Sequence, residues 1–418
     1  MTHSPRLKLF LMMVLQFFIW GAWLPPLFHL MGAEDGLHFS AVQQTWVGSC
    51  FAIASVLGIF FSNQFADRNF ASEKFMAFSH LVGGLAVGAL YWVKDFPTFF
   101  ALMLVHSLLY VPTISVANSL AFANIKDPAK EFGLIRMGGT IGWILASWPF
   151  FFLLQGKTGA AQIDAERLAF LVAGVASLVL AAFSLTLPHT PPKRSGESLA
   201  WLEAMKLLRV PFILVLFVVT FIDATIHNGY FVTAFGFLAD AGFKGEHIML
   251  VMSIGQVAEI LAMALLGRVL ARYGWRTTMI LGILGHAARY AVFAFFPQSQ
   301  PVLVVVQVLH GICYAFFFAT VYIFIDAAFP KDLRASAQGL FNLLILGLGD
   351  LAAKWLFIPL MNSWKVTVGT GDAAKTMIDY HKLFLVPVGL ALVGVLLLAL
   401  LFHPPKEISP AGNAAPPH

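Results

Sequence analysis

Charged residues are scarce in this sequence. They make up 11% of its 418 residues, whereas about 25% is usual in soluble domains. So few charges cannot cover a water-facing surface, which excludes a soluble enzyme, a disordered protein and a nucleic-acid binder. Cysteine is also rare, since Cys50 and Cys313 are the only two and both lie inside apolar runs. Two isolated cysteines give no basis for a disulfide framework.

The sequence also lacks the motifs of several common activities. It contains no cluster of metal-ligand residues, no glycine-rich phosphate loop and no nucleophile elbow. An ATP-driven pump would need such a phosphate loop here or on a partner chain. The sequence therefore predicts a protein that is not an enzyme and that uses no metal and no cofactor.

Apolar residues, in contrast, make up 59% of the chain. A helix that crosses a bilayer needs about 20 mostly apolar residues, and the runs are too long for the alternating strands of a membrane barrel. In lipid each run must be helical, because the backbone has no water to bond to. Twelve segments are predicted, at 8–30, 41–62, 74–93, 98–122, 134–155, 167–187, 210–237, 247–267, 276–296, 301–327, 337–360 and 382–403.

A long polar connection, residues 188–209, lies near the middle of the chain. It is rich in Pro and Ser, and its part AWLEAMKLL is typical of an amphipathic helix on a membrane surface. It separates an N-terminal six-helix half, 1–187, from a C-terminal six-helix half, 210–403. The tail 404–418 is rich in Pro and Ala and is predicted to be disordered.

Lysine and arginine predict the orientation in the membrane. If the N-terminus is cytoplasmic, 16 of these residues fall in inside segments, 7 in outside segments and 3 within or at the edges of spans. Positive residues concentrate on the cytoplasmic side of membrane proteins. Both termini are therefore predicted to be cytoplasmic.

One loop is repeated in the two halves. NQFADRNFASEKF follows the second segment and GRVLARYGWRTTM follows the eighth, and their motifs start 204 residues apart, at 63 and 267. Both resemble the loop signature G-x-x-x-D-R-x-G-R-[RK] of the major facilitator superfamily. The first copy keeps Asp67 and Arg68, and the second keeps Gly267, Arg272 and Gly274. The resemblance implies an all-α membrane protein with the major facilitator fold, in which two pseudo-symmetric six-helix halves enclose a substrate site.

Polar residues within the predicted spans are candidates for function, because an ionised group there costs about 2.5–3.5 kcal/mol. Glu259 lies midway along the eighth segment, with Gln256 three residues earlier on the same face. A desolvated carboxyl can take up a proton on one side of the membrane and release it on the other. The alternative is a protonated Glu259 that only bonds a neighbouring helix.

The fifth segment carries Arg136, Thr140 and Trp143 at i, i+4 and i+7. A cation, a hydroxyl and an indole in one stripe are suited to a flat polar ligand. The alternative is an Arg136 that extends to lipid phosphate, with Trp143 in the core. In the first segment, Gln16 and Trp20 are likewise four positions apart. Aromatic residues in such helices more commonly pack between helices than bind a ligand.

Other polar residues receive mostly structural interpretations. In the seventh segment Asn228 can both donate and accept hydrogen bonds, which suits a base or a sugar. Asp223 and His227 are predicted to pair with each other, and the less favoured alternative is a second proton relay. In the tenth, His310 and Tyr314 share a face. Structural ion pairs are predicted for the remaining intramembrane charges, with Asp350 paired to Lys354 and further pairs at Arg289 and Asp326.

Five segments together resemble one family. LQFFIWGAWL, YVPTISVANSLAF, IRMGGTIGWI, SIGQVAEI and LRASAQGLF are similar to segments of the bacterial nucleoside–proton symporters of the major facilitator superfamily. The resemblance implies inner-membrane uptake of nucleosides with protons by a chain that is monomeric in the lipid bilayer. It places Arg136, Thr140, Trp143, Asn228, Gln256 and Glu259 at substrate positions. We further expect Tyr314 to add stacking area and Glu259 to carry the proton.

The sequence departs from those symporters at four positions. Thr225 replaces Gln, Trp143 replaces Phe, and His310 and Ala315 stand where Tyr and an acid are expected. These changes leave open another small polar cargo, such as a sugar or a muropeptide fragment. An exporter is less favoured, because the fifth segment lacks a Gly-Pro motif. A receptor without transport activity would predict binding without flux.

Overall fold

The computed structural model describes residues 5–58, 70–126, 128–192, 205–329, 334–368, 375–405 and 408. Within these ranges, ten helices are long and apolar enough to cross a membrane, and Ala41–Leu57 is a shorter apolar helix. The predicted all-α membrane class is therefore confirmed. The count of twelve spans stays a prediction.

Among the described residues, six helices form most of a first compact unit, Met1–Ser198 with Phe243–Ser253. Two of them begin with side-chain caps: Ser40 forms a capping box with Gln43, and Asp95 accepts from the Thr98 N–H. Such caps satisfy backbone donors that a helix start leaves open. The helices are α1 Pro5–Gly32, α2 Ala41–Leu57, α3 Ser72–Ala89, continued by a 3-10 turn at Leu90–Trp92, α4 Phe96–Ala123, α5 Pro128–Leu154 and α6 Gly159–Ser184.

Glycines allow two helices of this unit to approach closely. At Gly142 of α5, a Cβ would collide with the backbone of Val14 on α1. At Gly133 of the same helix, nothing lies within 4 Å of such an atom. Small residues at helix contacts are the usual means of close packing in membranes. This contact places the polar face of α5 beside the aromatic residues of α1.

The second compact unit comprises Leu199–Gly242 and Ile254–His418. It holds all of α7 and most of α8, together with the shorter helices that follow. The helices are α7 Pro211–Asp240, preceded by a 3-10 turn at Leu207–Arg209, α8 Gly245–Phe295, α9 Gln300–Val305, α10 Val308–Cys313, α11 Thr320–Ala328, α12 Arg334–Asn342, α13 Gly349–Ser363 and α14 Tyr380–Leu401.

The long helix α8 is broken at one residue. Gly274 has φ 75° and ψ 177°, a conformation that glycine adopts without steric cost. A loop is predicted between the eighth and ninth segments, but the structure has helix on both sides of this single break. The repeated loop motif supplied the glycine on which the break depends.

Two π-helical turns interrupt the helices that follow. Tyr314–Ala319 lies between α10 and α11, and Leu343–Leu348 lies between α12 and α13. The tenth and eleventh predicted segments are thus helical, with a local change of hydrogen-bond register. Such turns occur frequently at functional sites, and the candidate residue Tyr314 begins the first one.

A small antiparallel hairpin was not predicted. β1, Lys365–Val368, pairs with β2, Lys375–Ile378, with Val366 opposite Met377. Asp379 follows β2, where its N–H donates to the Trp364 carbonyl at 2.8 Å and its carboxylate accepts from the Lys382 N–H at 3.1 Å. The hairpin therefore leads directly into the capped start of α14.

Several predictions fall outside the described residues. These are the first loop motif with Asp67 and Arg68, most of the connection 188–209, and most of the tail 404–418. The domain boundaries at 187, 209 and 403 stay predictions.

Candidate functional site

The first unit carries three candidate residues along one face of α5. Arg136, Thr140 and Trp143 lie on successive turns of an unbroken helix, and all three are half-buried. The predicted stripe is therefore present as a structural feature. Its role in binding stays a prediction.

An aromatic ring on α1 positions Arg136. The guanidinium carbon lies 4.3 Å from the centroid of the Phe17 ring, within the range of a cation–π contact. This contact uses the face of the guanidinium, whereas its N–H donors point outward in the guanidinium plane. Arg136 is thus held in place in a way that still suits recognition of a planar acceptor.

Trp143 belongs to a group of aromatic side chains. Its ring meets Trp20 edge-on at 5.3 Å, and Trp20 stacks on Phe51 at 4.5 Å. The Nε1 donor of Trp20 is buried and has no hydrogen-bond partner among the described residues. Most buried donors are paired, so Trp20 joins the candidate site. The sequence signal for Trp20 is its spacing from Gln16, a pattern that by itself favours packing between helices.

Gln16 itself has a structural role. Its Nε2 donates to the Thr113 hydroxyl at 2.8 Å, and its Oε1 lies 2.9 Å from Nε2 of His80. All three side chains are buried. The amide therefore connects α1, α3 and α4 inside the first unit.

In the second unit, Asn228 is already partly used by the protein. Its side-chain nitrogen donates to the carbonyl of Ala224 at 2.9 Å and to that of Ile345 at 3.0 Å. An amide nitrogen has only two hydrogens. Both donors of Asn228 are therefore used within the protein, so its side chain can offer a ligand only the carbonyl oxygen, as an acceptor.

Gln256 and Glu259 share one face of α8, as predicted from their spacing. Gln256 is buried, and its Oε1 has no hydrogen-bond partner among the described residues. Glu259 is half-buried, one turn farther along. Helix α10 packs against this turn so closely that a Cβ at Gly311 would collide with the backbone N of Glu259.

Tyr314 lies in the second unit beside two other rings. Its ring is 5.9 Å from that of His227 and 5.7 Å from that of Phe318. Tyr314 is half-buried at the start of the π-helical turn. It can offer both ring area and a hydroxyl.

The predicted pair of Asp223 and His227 is wrong. His227 stacks on His310 at 4.8 Å, whereas Asp223 Oδ2 lies 3.7 Å from Nε2 of His286. Side chains at i and i+4 can meet, but neighbouring helices here offer rings that fit each of them better. We call Asp223, His227, His286, Arg289 and His310 together the Arg289 cluster.

Arg289 also differs from its prediction, since no carboxylate lies within 4 Å of it among the described residues. It donates to Nδ1 of His310, lies 3.3 Å from Nδ1 of His286, and covers the Tyr230 ring at 4.3 Å. The other predicted ion pairs are confirmed: Asp326 contacts Arg334 at 3.3 Å, and Lys354 pairs with Asp350. Within the described ranges, no group of three or more His, Cys, Asp or Glu residues is arranged to hold a metal ion.

Helices that are long and apolar enough to cross a membrane, with buried polar groups among them, define a multi-pass membrane protein. The sequence profile of the nucleoside H⁺ symporter family matches residues 3–407. The chain therefore belongs to this family, as its motifs predicted.

Individual relatives agree with this assignment. The Escherichia coli K12 protein YegT is 36% identical over 352 residues, which cover 82% of this chain and 81% of YegT. The xanthosine permease of Escherichia coli K12 is 28% identical over 438 residues, covering 98% of each chain. The crystal structure of the nucleoside transporter NupG matches with a TM-score of 0.82 at 23% identity, covering 96% of this chain and 100% of that one. This structural match confirms the major facilitator fold.

Proposed function

We propose that this protein imports nucleosides together with protons across the bacterial inner membrane by alternating access. The family match over residues 3–407 carries the proposal. Relatives named as a xanthosine permease and a nucleoside permease support the same cargo. They do not favour a sugar or a muropeptide fragment. In this proposal the chain acts as a monomer with both termini in the cytoplasm.

The first unit supplies donors and ring area for the nucleoside. Arg136 offers N–H donors to base carbonyl and ring-nitrogen atoms, and Thr140 offers a hydroxyl on the same face. Trp143 stacks on the base. The support for this assignment is the common face of these three residues on α5 and the unpaired donor of the neighbouring Trp20.

The second unit mainly supplies acceptors. Oε1 of Gln256 and the side-chain carbonyl of Asn228 accept from ribose hydroxyls or base N–H groups. Tyr314 adds ring area. The buried Oε1 without a partner is the observation that supports this role for Gln256. Burying an unpaired acceptor costs free energy, and a donor on the substrate would remove that cost.

Glu259 carries the proton in this proposal. It is half-buried on the same face as Gln256, so a proton on its carboxyl changes the charge beside the substrate. Intramembrane acids of transporters commonly act as proton relays. Binding of substrate and binding of proton are thereby linked at one turn of α8.

Competition on the purified protein tests the cargo. We expect uridine or adenosine to displace a labelled nucleoside, and uracil or adenine to compete at least about tenfold worse, since each ribose partner left unpaired costs about 1–3 kcal/mol. Ribose alone should not compete, because it leaves the base-binding groups unpaired. Equal competition by base and nucleoside, or strong competition by ribose, would contradict a nucleoside site.

A further inference from the structure

The Arg289 cluster is a second set of buried polar side chains, distinct from the candidate substrate residues. It joins α7, α8 and α10, and Asp223, His286 and Arg289 in it are fully buried. Ionisable groups inside membrane helices are costly, and they mark ion pathways or internal pairs. The cluster therefore requires an explanation beyond packing.

The chemistry of arginine determines which hydrogens the histidines carry. A guanidinium only donates hydrogen bonds and keeps its charge. Nδ1 of His310 and Nδ1 of His286 both face it, so both nitrogens are acceptors without hydrogen. In the neutral rings the hydrogen is on Nε2, and Nε2 of His286 lies 3.7 Å from Asp223 Oδ2. Arg289, His286 and Asp223 thus form a row of cation, neutral ring and carboxyl.

The row is incomplete at its acidic end. Among the described residues, neither oxygen of Asp223 has a hydrogen-bond partner, nor does Nε2 of His286. The 3.7 Å between Asp223 Oδ2 and His286 Nε2 is longer than the 2.7–3.2 Å of an N–H···O bond. A small movement would bring the two atoms within hydrogen-bond distance. A buried carboxyl without a donor is stable only when it is neutral. An ionised Asp223 would instead close the gap to His286.

The cluster is mechanically linked to the turn of α8 that carries Glu259. His310 contacts α8 at Gly255, and the next residue, Gly311, contacts the backbone of Glu259. A shift of His310 against Arg289 therefore moves the part of α10 that packs on Glu259. The described contacts thus connect Asp223 to Glu259 through His286, Arg289 and His310.

We infer that Asp223 is a second proton-binding site of the transport cycle, balanced by Arg289 and connected to Glu259 through α10. This inference rests on the proposed function. Arg289 supplies one fixed positive charge, so the charges of Arg289, Asp223 and Glu259 cancel when the two carboxyls hold one proton between them. The step is a proton exchange alone: an O–H bond forms on Asp223 as the proton arrives and breaks as it leaves.

The surroundings contain other titratable groups, which set the charge that Asp223 experiences. On α13, which packs on α7, Asp350 and Lys354 form an ion pair with each other. On α14, Tyr380 donates to Asp240 at 2.8 Å. The titratable groups nearest to Asp223 are the other members of the cluster and the side chains that pack on them, namely Tyr230 on α7, Tyr290 on α8 and Cys313 on α10.

Transport by reconstituted protein in proteoliposomes tests the inference. Counterflow of a labelled nucleoside without a proton gradient measures binding and exchange, and accumulation driven by a pH gradient measures coupling. For Asp223→Asn we expect counterflow to persist and accumulation to fall about tenfold, as loss of a coupling site implies. Asp326→Asn is the matched control, because that carboxylate pairs with Arg334 at an exposed position, and it should accumulate as the wild type does.

The double variant Asp223→Asn/Arg289→Gln separates proton exchange from simple charge balance. It removes both charges, so a role of Asp223 in charge balance alone predicts that accumulation returns. The inference predicts that accumulation stays lost while counterflow persists. Full accumulation by Asp223→Asn, or recovery in the double variant, would overturn it. If the wild type shows no nucleoside counterflow, the proposed function and this inference fail together.

A second variant tests the inference independently in case Asp223→Asn does not fold. Asp223→Glu keeps a titratable carboxyl and extends it by one methylene toward His286. Accumulation should persist, and the pH at which it is half-maximal should differ from that of the wild type, because the carboxyl meets a different environment. An unchanged pH profile in a folded, active Asp223→Glu protein would overturn the inference.

Discussion

Buried polar residues of this protein differ in whether the protein itself completes their hydrogen bonds. Gln16 uses both ends of its amide within the first unit. Gln256 is equally buried but retains an oxygen without a partner among the described residues. A polar ligand that reaches this oxygen would supply the missing bond. The first kind of residue stabilises the fold, and the second kind is suited to a polar substrate.

Replacing Gln256 by Met tests this distinction. The variant keeps the side-chain volume and removes the oxygen, so nucleoside affinity should fall by about 1–3 kcal/mol while the fold is unchanged. Gln16→Met is the matched control: it should lower the midpoint of thermal unfolding, because Thr113 and His80 lose their partner. Titration of binding and thermal unfolding in detergent measure both effects. A Gln256→Met protein with wild-type affinity would contradict the assignment.

Glu259→Gln tests the proton carrier. The variant keeps the volume and one hydrogen-bonding face but cannot release a proton. We expect it to lose uptake driven by a pH gradient while it retains nucleoside binding or exchange. The measurement is accumulation against counterflow in the same vesicles. Accumulation by the variant under a proton gradient would show that Glu259 is not the coupling residue.

At the scale of helices, the contact between α1 and α5 determines where the candidate residues lie. Phe17 and Trp20 on α1 meet Arg136 and Trp143 on α5, and Gly142 allows the two backbones to approach. The periodicity of α5 was sufficient to predict its polar stripe. The partner rings could not be predicted, because no local pattern indicates which face of α1 packs there.

Gly142→Ala should disturb this contact. Its Cβ would collide with the Val14 backbone, and overpacking of this kind costs about 1–3 kcal/mol. We expect a lower thermal midpoint and weaker nucleoside binding, since α5 must move away from α1. Gly133→Ala on the same helix meets nothing within 4 Å and should be neutral or stabilising, because Ala favours helix over Gly. Equal effects of the two substitutions would refute the role of this contact.

The cap of α4 predicts a dependence of stability on pH. The Thr98 N–H donates to the Asp95 carboxylate at 3.0 Å, and this bond holds the pKa of Asp95 below its usual range. The cap therefore stabilises the protein above the ordinary aspartate pKa, and its contribution is lost as the pH falls through the lowered value. Asp95→Ala should lower the thermal midpoint at neutral pH, and the difference should vanish in acid.

Asp95→Asn is the companion variant for this cap. Asn keeps a side-chain oxygen that can accept from Thr98 and has no charge to titrate. Its thermal midpoint should therefore lie near that of the wild type at neutral pH and show less dependence on pH. A loss of stability in Asp95→Ala that is the same at every pH would rule out the carboxylate as its cause.

At the scale of the whole molecule, local sequence patterns predicted the helices and their polar faces. The partners of the buried polar side chains depend instead on contacts between residues far apart in the sequence. Asp223 contacts His286, 63 positions away, rather than His227 on its own helix. Asn228 loses its donors to Ala224 and to Ile345, which lies in a π-helical turn. The pairing of β1 with β2 was not predicted because each strand is only four residues long and contains a lysine. Periodicity carries no information on such contacts, because they depend on three-dimensional packing.

The orientation of the whole chain is the last prediction. The distribution of Lys and Arg places the connection 188–209 and both termini in the cytoplasm. Single cysteines at Ser195 and Ser409, which lie outside the described residues, should resist an impermeant thiol reagent in intact cells. Thr158→Cys, at an exposed position in a predicted outside connection, is the matched control and should be labelled. The native Cys50 and Cys313 are fully buried, so they should give no background. Labelling of both 195 and 409 from outside would reverse the orientation.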